Sequence, residues 1–350
     1  MKLSELLDSS TGWLKGNGPR DNIVLSTRVR IARNLKGRVY TGRATDAEME
    51  ETLKGAMDGI KKSGVLGDAL FLMLKDVDEL DRKFFVERHL MSREHSENTA
   101  YKGVVVGEKE ISSVMVNEED HIRLQVMMTG FNIMKTWKTI DDVENKISKF
   151  LEFDYSPRFG YLTSCPTNTG TGLRASCMLH LSALVMTGQI ENVFDGISKL
   201  GMTIRGFYGE GTKAIGDFFQ ISNQVALGHS EMDILDNLER IINKIIEREE
   251  DTRRNMFSTK KGEMVDRVER SLETLRTARI ITSSETIKLL STIRLGIDMG
   301  IVSDIGLSGV NEMLLLSQPA HLQKSSGNKA QPYERDIKRA DFIRKKLGAI

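Results

Sequence analysis

Residues 161–178 combine residue types that bind anions with one that can act as a nucleophile. The stretch reads YLTSCPTNTGTGLRASCM, in which Cys165 precedes a proline and two glycines precede Arg174. Gly170 and Gly172 allow positive φ and a close backbone approach, and successive N–H groups in such a turn attract anions. Arg174 adds a planar fork of donors that suits phosphate, and a nearby cation would favour the thiolate of Cys165. The stretch predicts a phosphate-binding turn. The alternative is a glycine-rich loop around a structural thiol.

A second group of cationic side chains lies in NIVLSTRVRIARN, residues 22–34. The segment alternates like a strand, and its apolar face consists of Ile23, Leu25, Val29 and Ile31. Ser26, Arg28 and Arg30 then share the opposite face, where a strand holds them rigidly enough to clamp a polyphosphate. The alternative is a solvated strand face.

Acidic and basic side chains are concentrated in NEEDHIR, residues 117–123, between two apolar stretches that alternate like strands. The pattern predicts two strands joined by a turn or bulge, a device that often re-aims side chains near active sites. The helical H-E-x-x-H spacing of a zinc site is absent, so we predict no metal site here. Glu119 with Arg123 instead suits a substrate that carries both a cation and an anion. Arg205 and Glu210 repeat this pairing in the glycine-rich RGFYGEG.

The elements that must position these residues follow from periodicity. A helix is predicted at 45–64, with Thr45 or Asp46 as its cap and Glu48 following in the manner of a capping box. Further helices are predicted near 139–152, within 179–201 and at 230–254, and a strand at 218–222. From residue 255 onward helix follows helix, and the last helix begins at Pro332 and ends at Gly348. We therefore predict an N-terminal extension at 1–21, a first domain at 22–254 and a separate helical domain at 255–350.

Composition excludes several classes of protein. A chain of 350 residues predicts about two domains, and 50 basic against 49 acidic residues give no global reason to expect a nucleic-acid or membrane partner. Two cysteines fit a reducing compartment without a disulfide framework. The start lacks the apolar region of a signal peptide, and no run approaches the roughly 18 apolar residues of a membrane span. We expect a cytoplasmic protein.

Four motifs resemble, in order and in wording, the catalytic domain of the phosphagen (guanidino) kinases. They are STRVR at 26–30, NEEDHIR at 117–123, CPTNTGTGLR at 165–174 and RGFYGEG at 205–211. Within this family the chain most resembles the bacterial protein arginine kinases. Only 21 residues precede the predicted strand, where kinases of small guanidino compounds carry a helical domain. The helical region also contains RDIKRA at 335–340, which resembles the phosphoarginine-binding RDxxRA motif of the protein arginine kinases.

The resemblance implies a role for each matching residue. Glu119 and Glu210 would hold the guanidinium of the substrate, with Cys165 as the reactive cysteine. His89, whose apolar surroundings alone indicate a core histidine, matches the family's nucleotide-contacting histidine. The other ATP-binding positions implied are Ser26, Thr27, Arg28, Val29, Arg30, Arg123, Arg174, Ala175, Ser176, Cys177, Met178, Arg205, Gly206, Phe207, Tyr208 and Gly209. Met178 stands where creatine kinases have a histidine near the adenine, so thioether packing would replace ring stacking there. Mg²⁺ would arrive with ATP.

The same resemblance implies an allosteric phosphoarginine site formed by Arg335, Asp336, Ile337, Lys338, Arg339 and Ala340. A solvated basic helix end is the alternative that the residues alone favour. The implied fold is α+β, with an antiparallel sheet flanked by helices and an all-α domain after it. The implied activity is phosphorylation of protein arginine side chains with ATP in stress control. The implied partners are a stress-gene repressor, an activator protein, a Clp ATPase and a second copy of the chain.

Two other functions remain as alternatives. One is a kinase of free arginine or another small guanidino compound, against which the short segment before residue 22 argues. The other is a non-catalytic adaptor that reads phosphoarginine. The presence of both glutamates, the cysteine and the arginines of the four motifs argues against the adaptor.

Overall fold

The computed structural model describes residues 5–6, 11–206, 215–327 and 330–349. Its strands, in chain order, are β1 Val24–Arg33, β2 Leu70–Met73, β3 Gly103–Val106, β4 Ser112–Val116, β5 Ile122–Thr129, β6 Tyr155–Ser156, β7 Gly160–Tyr161, β8 Leu173–His180, β9 Met202–Gly206 and β10 Phe218–Asn223. β6 and β7 form a small hairpin, and the other strands form one antiparallel sheet in the order β2-β3-β4-β5-β1-β8-β10-β9. β1 therefore lies inside the sheet, between β5 and β8.

Helices flank this sheet and form the C-terminal part of the chain. They are α1 Asp46–Ser63, α2 Glu79–Glu87, α3 Arg93–Ser96, α4 Ile133–Ile147, α5 Ser182–Met186, α6 Ile190–Ser198, α7 Glu231–Thr259, α8 Lys261–Thr277, α9 Ser283–Asp298, α10 Leu307–Leu316, α11 Pro319–Ser326 and α12 Pro332–Lys346. The predicted α+β fold, with an antiparallel sheet flanked by helices and a helical C-terminal region, is confirmed.

One face of the sheet is covered by α1, α4, α6 and α7. The apolar cluster between them joins residues of α7 such as Ile241 to strand residues such as Val29 and Ile31. Full burial of one such side chain stabilises the fold by about 1.5–3 kcal/mol. α1 begins with the predicted capping box, in which the Thr45 side chain accepts from the Glu48 N–H and the Glu48 side chain accepts from the Thr45 N–H. Local caps and apolar stripes thus position this helical layer.

The predicted strand at 22–34 is confirmed as β1, but Leu25 does not share the face of the other apolar residues. The pairing of β1 with β8 shifts between Val24 and Ser26, so β1 holds an extra residue there. Such a bulge reverses the alternation of side chains on one side of it. Leu25 consequently packs with Met178 and Phe218 against the C-terminal helices. The predicted single apolar face was wrong at this residue.

Several predicted helices have other bounds in the structure. The helix expected near 139–152 is α4, which ends at Ile147, and the helix expected at 230–254 is α7, which continues to Thr259. The segment 179–201 holds the end of β8 and two short helices, α5 and α6, with Gly188 at φ 69° between them. The second half of 161–178 is also strand rather than turn. β8 pairs with both β1 and β10, and this pairing outweighs the local helical pattern.

Helix follows helix after residue 255, as predicted, but the last helix ends at Lys346 rather than at Gly348, and α11 was not predicted. Its signal was Pro319 in the first turn, a position that proline favours. The predicted domain boundary at 254 remains a prediction, since α7 runs through it without a break. Leu25, Met178 and Phe218 of the sheet also share one apolar cluster with α8, α9, α10 and α12. None of the described helices is long and apolar enough to cross a membrane.

Candidate active site

The sheet face opposite α1, α4 and α7 holds a cavity of about 720 Å³. α2 and its neighbours cover one end of this face, and the C-terminal helices cover the other. The cavity is lined by the arginines singled out in the sequence, which come from four strands: Arg28, Arg30, Arg123, Arg174 and Arg205. The fold therefore collects in one place cationic side chains that lie far apart along the chain.

The strand register sets these arginines side by side. Arg30 lies opposite Arg174 across the β1–β8 ladder, and like charges in that relation are destabilising on their own. Burial and the charges of Arg174 and Arg205 lower the pKa of Arg28 to about 10, and burial with neighbouring arginines likewise lowers the pKa of Arg30. Nε of Arg30 is buried without a hydrogen-bond partner among the described residues. This concentration of positive charge suits a ligand with several negative charges.

Neutral side chains orient part of the arginine group. Nη2 of Arg28 donates to Oε1 of Gln220 at 2.9 Å, and Nη2 of Arg174 donates to Oγ of Ser222 at 3.2 Å. Gln220 and Gln125 line the same cavity from β10 and β5. Neither glutamine was predicted from the sequence. Their signal is a polar residue at an inner position of an otherwise apolar strand.

The turn between β4 and β5 forms the acidic wall of the cavity. Glu119 lines the cavity with its side chain 47% exposed, and its Oε2 accepts from Nη2 of Arg123 at 2.9 Å. Oδ1 of Asp120 accepts from Nδ2 of Asn34 at 2.9 Å and from the Ser164 N–H at 2.7 Å. Asp120 therefore joins the turn to the segment that carries the cysteine.

Glu118 also lines the cavity, although only its neighbour Glu119 was predicted from the sequence. Its side chain is 7% exposed, forms an ion pair with Arg123 and accepts from Oγ of Ser92 at 2.5 Å. Burial alone would raise the pKa of Glu118, but Arg123 and the hydrogen bond from Ser92 outweigh it, so the pKa lies below its ordinary value. The two adjacent carboxylates thus have different surroundings, one buried and fixed, the other near solvent.

Cys165 lies in the cavity wall beside this turn. Its Sγ is 3.0 Å from Oγ1 of Thr167, and the Ser164 hydroxyl donates to the Glu119 carbonyl at 2.8 Å. The loop after Cys165 uses positive φ at Gly170 (113°) and Gly172 (64°), as predicted. A Cβ at either glycine would lie within 3.0 Å of neighbouring atoms. The loop therefore brings the cysteine to the same wall as Glu119.

His89 lines the cavity at the end of α2. It has a left-handed φ of 57°, and its ring lies edge-on to Trp13 with centroids 5.1 Å apart. Burial and the nearby charge of Arg28 lower the pKa of His89 to about 3. The imidazole is consequently neutral near pH 7, so one ring nitrogen can donate a hydrogen bond and the other can accept one.

Several predicted ATP-binding residues do not line the cavity. Side chains alternate along β1 and β8, and four of the residues face the helical layer instead: Thr27, Val29, Ala175 and Cys177. Met178 packs with Leu25 and Phe218 below the C-terminal helices. Ser26 and Ser176 are buried in the sheet and are not among the described lining residues, and Gly206 ends β9. Phe207, Tyr208, Gly209 and Glu210 lie outside the described residues.

The RDIKRA segment lies in the first half of α12. Arg339 is 1% exposed, and its guanidinium donates to the carbonyls of Ser317 and Ile281 at 2.9 Å each and pairs with Asp336. Arg335 is half-buried, as are Ile337 and Lys338, whereas Ala340 lies in the apolar cluster. The alternative of a solvated basic helix end is wrong for Arg339. The structure instead places Arg339 inside, where it joins α12 to the residues before α9 and α11.

Comparison with known proteins adds independent findings. Residues 48–252 match the family described as ATP:guanido phosphotransferase, C-terminal catalytic domain, and residues 261–350 match the protein-arginine kinase McsB C-terminal domain. The chain is 42% identical over 348 residues to the protein-arginine kinase of Halothermothrix orenii, with 99% of both chains covered. It is 42% identical over 342 residues to that of Bacillus subtilis, with 97% of this chain and 94% of the relative covered.

Solved structures agree on the fold. Lombricine kinase matches with a TM-score of 0.59 at 24% identity, over 71% of this chain and 70% of that chain. The substrate-free duplicated taurocyamine kinase from Schistosoma mansoni matches with a TM-score of 0.55 at 26% identity, over 71% of this chain and 35% of that chain. Two family descriptions match successive parts of the sequence, and two named relatives are 42% identical to the chain over nearly its full length. The chain belongs to the protein-arginine kinase family of ATP:guanido phosphotransferases.

Proposed function

We propose that this chain transfers the γ-phosphoryl group of ATP to the guanidino groups of arginine side chains in proteins. The observation that carries this proposal is the group of arginines from β1, β5, β8 and β9 in one cavity, facing a wall of carboxylates and a cysteine. The membership of this chain in the protein-arginine kinase family supports a protein as the phosphoryl acceptor.

The arginine side of the cavity is proposed to bind the ATP phosphates. Phosphoryl transfer passes through a loose transition state, so most of the catalysis comes from positioning and charge neutralisation. Arg28, Arg30 and Arg174 lie on adjacent strands, where rigid backbone pairing limits their movement. Arg123 and Arg205 complete the group from β5 and β9. His89, neutral at physiological pH, is proposed to contact the nucleotide.

The acidic wall is proposed to bind the acceptor arginine. Its guanidinium is protonated at physiological pH, so a nitrogen must lose a proton to attack phosphorus. Glu119 is proposed to hold the guanidinium and to accept that proton, and the resemblance gives Glu210 the same role. As the N–P bond forms, the bond from the γ-phosphorus to the bridging oxygen breaks and ADP leaves. Cys165, on the same wall, is proposed to contact the guanidinium.

Mg²⁺ is proposed to enter with the nucleotide. Among the described residues, no group of three or more His, Cys, Asp or Glu side chains could hold a metal ion. Mg²⁺ in kinases needs few protein ligands, because phosphate oxygens and water supply most of its coordination. Glu118 and Glu119 provide carboxylates on the cavity wall beside the arginines. The ion would supply further neutralisation of the phosphate charge.

The remaining proposals rest on the resemblance. The RDIKRA segment is proposed to bind phosphoarginine and so to tune the kinase, with Arg335 and Lys338 as its more accessible cations. The chain is proposed to act in the cytoplasm as a homodimer during stress. Its proposed substrate is a stress-gene repressor, and an activator protein and a Clp ATPase are its proposed partners.

The test compares acceptors directly. The chain is incubated with ATP, Mg²⁺ and either a protein mixture or free arginine, and the products are analysed by mass spectrometry without acid, because N–P bonds are acid-labile. We expect phosphoarginine in proteins and little turnover of free arginine. Turnover of free arginine alone would identify a small-molecule kinase instead. Phosphoarginine binding without any transfer would identify an adaptor.

A further inference from the structure

A buried group of polar side chains joins the C-terminal helices to the end of α2. The Glu87 carboxylate accepts from the backbone N–H groups of Ala320 at 2.8 Å and His321 at 3.1 Å, and so caps the first turn of α11. Oε2 of Glu87 also lies 2.8 Å from Nδ1 of His321. Three contacts therefore connect this one carboxylate to α11.

Arg88, the next residue, extends the connection. It is fully buried, and its Nε and Nη2 donate to the two carboxylate oxygens of Glu110 at 2.7 and 2.5 Å. Its Nη1 lies 3.4 Å from Nε2 of His321. A guanidinium only donates and a carboxylate only accepts, so His321 carries its proton on Nδ1 and accepts at Nε2. His321 thus links the two consecutive residues Glu87 and Arg88.

The next residue after this pair is the cavity residue His89. Its left-handed backbone is unusual for a residue other than glycine and persists only where the surroundings hold it. The His89 N–H donates to the Val86 carbonyl at 3.0 Å, and the His89 carbonyl accepts from Nε2 of Gln125 at 2.5 Å. Contacts to α11 on one side and to β5 on the other therefore determine where the imidazole points.

We propose that His321, in the C-terminal helical region, is a positioning residue for the nucleotide and acts through Arg88 on His89. The inference rests on the proposed function, in which His89 contacts ATP. The acidic wall with Glu119 is held elsewhere, by the contacts of Asp120 with Asn34 and Ser164. Loss of the His321 contact should consequently weaken ATP binding and leave the protein acceptor unaffected.

Two variants of the full-length chain separate positioning from simple docking of helices. H321N keeps a side-chain N–H that can donate to Glu87 and removes the acceptor for Arg88. K324M is the matched control, because Lys324 lies one turn later on α11 and pairs with Asp81 of α2, at side-chain exposures of 13% and 14%. We expect H321N to raise the KM for ATP about tenfold, the equivalent of one hydrogen bond to a charged group, with kcat and the acceptor KM within about twofold of the wild type. K324M should leave all three constants unchanged.

A second readout does not depend on catalysis. The chain has two tryptophans, and Trp13 lies against His89, so a W137F background leaves an emission signal beside the nucleotide cavity. Titration with ATP should give a dissociation constant about tenfold higher for H321N than for its parent. If H321N fails to fold, E87Q is measured instead, because it weakens the contact of Glu87 with Nδ1 of His321 that orients the ring towards Arg88. An unchanged ATP affinity in a folded H321N or E87Q protein would overturn the proposal. Absence of protein phosphorylation by the wild-type chain would contradict the proposed function alone.

Discussion

At the scale of single residues, the arginine group combines a function with a cost in stability. Arg30 faces Arg174 across the sheet, and its Nε is buried without a hydrogen-bond partner among the described residues. Buried like charges oppose folding, and active sites commonly keep such unfavourable arrangements because the ligand relieves them. The same residue should therefore have opposite effects on stability and on nucleotide binding.

We expect R30Q to weaken ATP binding while it stabilises the free protein by about 1 kcal/mol. The glutamine keeps a polar side chain on β1 and removes one charge from the group. Steady-state kinetics with varied ATP and chemical denaturation without nucleotide measure the two effects. R43Q changes an exposed arginine and serves as control. Equal ATP affinity, or a less stable R30Q protein, would contradict this view of the site.

Glu119 provides the matching prediction for the acceptor wall. Because E119Q keeps the shape but cannot accept the proton from the guanidinium, the rate should fall by about 10²-fold or more. The ATP affinity, measured by Trp13 emission, should remain near that of the wild type. E152Q is the control, since Glu152 is an exposed carboxylate that pairs with Lys36. Normal transfer by E119Q would assign proton acceptance to another group.

At the scale of secondary-structure elements, α12 carries both a structural and a proposed regulatory arginine. Arg339 binds the carbonyls of Ser317 and Ile281, so it fixes α12 against the residues that precede α11 and α9. Arg335, one turn earlier, is half-buried. Simultaneous replacement of both residues would confuse a loss of folding with a loss of ligand.

Single replacements separate these two roles. R339A should lower the free energy of unfolding by about 3 kcal/mol, because it leaves buried carbonyls and Asp336 without their donor. R335A should change stability by less than about 0.5 kcal/mol and weaken phosphoarginine binding. Thermal unfolding and calorimetry with phosphoarginine measure both. If R335A binds phosphoarginine normally, the proposed site must depend on other residues.

The sequence was most informative for elements whose signals are local. The Thr45–Glu48 capping box, the strand at 22–34 and the helix beginning at Pro332 depend on neighbouring residues, and all three are confirmed. The inside position of Arg339 and the separate surroundings of Glu118 and Glu119 depend on contacts between distant segments. Hydrophobic periodicity carries no information about such contacts.

Residues 173–180 form a strand, where the sequence predicted a turn and then a helix, for the same reason. LRASCMLH lacks a clean alternation because β8 is covered on both faces, by the helical layer and by the cavity with the C-terminal helices. Strands of that kind cannot be told from buried helix by periodicity. Local patterns did single out the arginines of the cavity, but only the family resemblance implied that they bind one ligand together.

At the scale of the whole molecule, α7 connects the two regions that match different families. The first match ends at residue 252 and the second begins at residue 261, and α7 continues from the first match through residue 259 of this interval. Arg253, inside the interval, donates to Glu249 at 2.8 Å, to Asp298 at 2.9 Å and to the His180 carbonyl at 2.9 Å. The junction is therefore itself a buried polar contact between the sheet, α7 and α9.

Burial of histidines makes the stability of the whole chain depend on pH. Burial lowers the pKa of five of them, to about 3 for His89 and about 4 for His95: His89, His95, His121, His180 and His321. The unfolded chain binds protons near pH 6.5, whereas the folded chain does so only at lower pH. The stabilisation is complete above pH 6.5 and is lost as the pH falls towards the folded pKa values. The free energy of unfolding should decrease by up to about 1.4 kcal/mol per pH unit for each histidine.

Denaturant titrations between pH 7.5 and pH 4.5 measure this slope. H95Q should reduce this slope, because it removes one group that takes up a proton on unfolding. The variant should still fold, because a glutamine amide can donate to the Gly103 carbonyl that His95 contacts at 2.9 Å. H229Q, a change at an exposed histidine, is the control variant. An identical slope for the wild type and H95Q would show that His95 does not take up a proton on unfolding.

The bulge at Leu25 divides β1 into two parts whose side chains alternate out of step with each other. Residues after it present the arginines to the cavity, and Leu25 at the bulge contacts the C-terminal helices. Deletion of Leu25 would restore an uninterrupted alternation in which Val24 stays in the helical layer and Arg28 and Arg30 keep their facing, and it would remove the Leu25 side chain that packs with Phe218. Such a deletion should loosen the C-terminal helices, which limited proteolysis would detect, and leave the arginine face of the strand in place. A change of one residue in length can therefore separate the packing of the C-terminal helices from the arginine face of the strand that they contact.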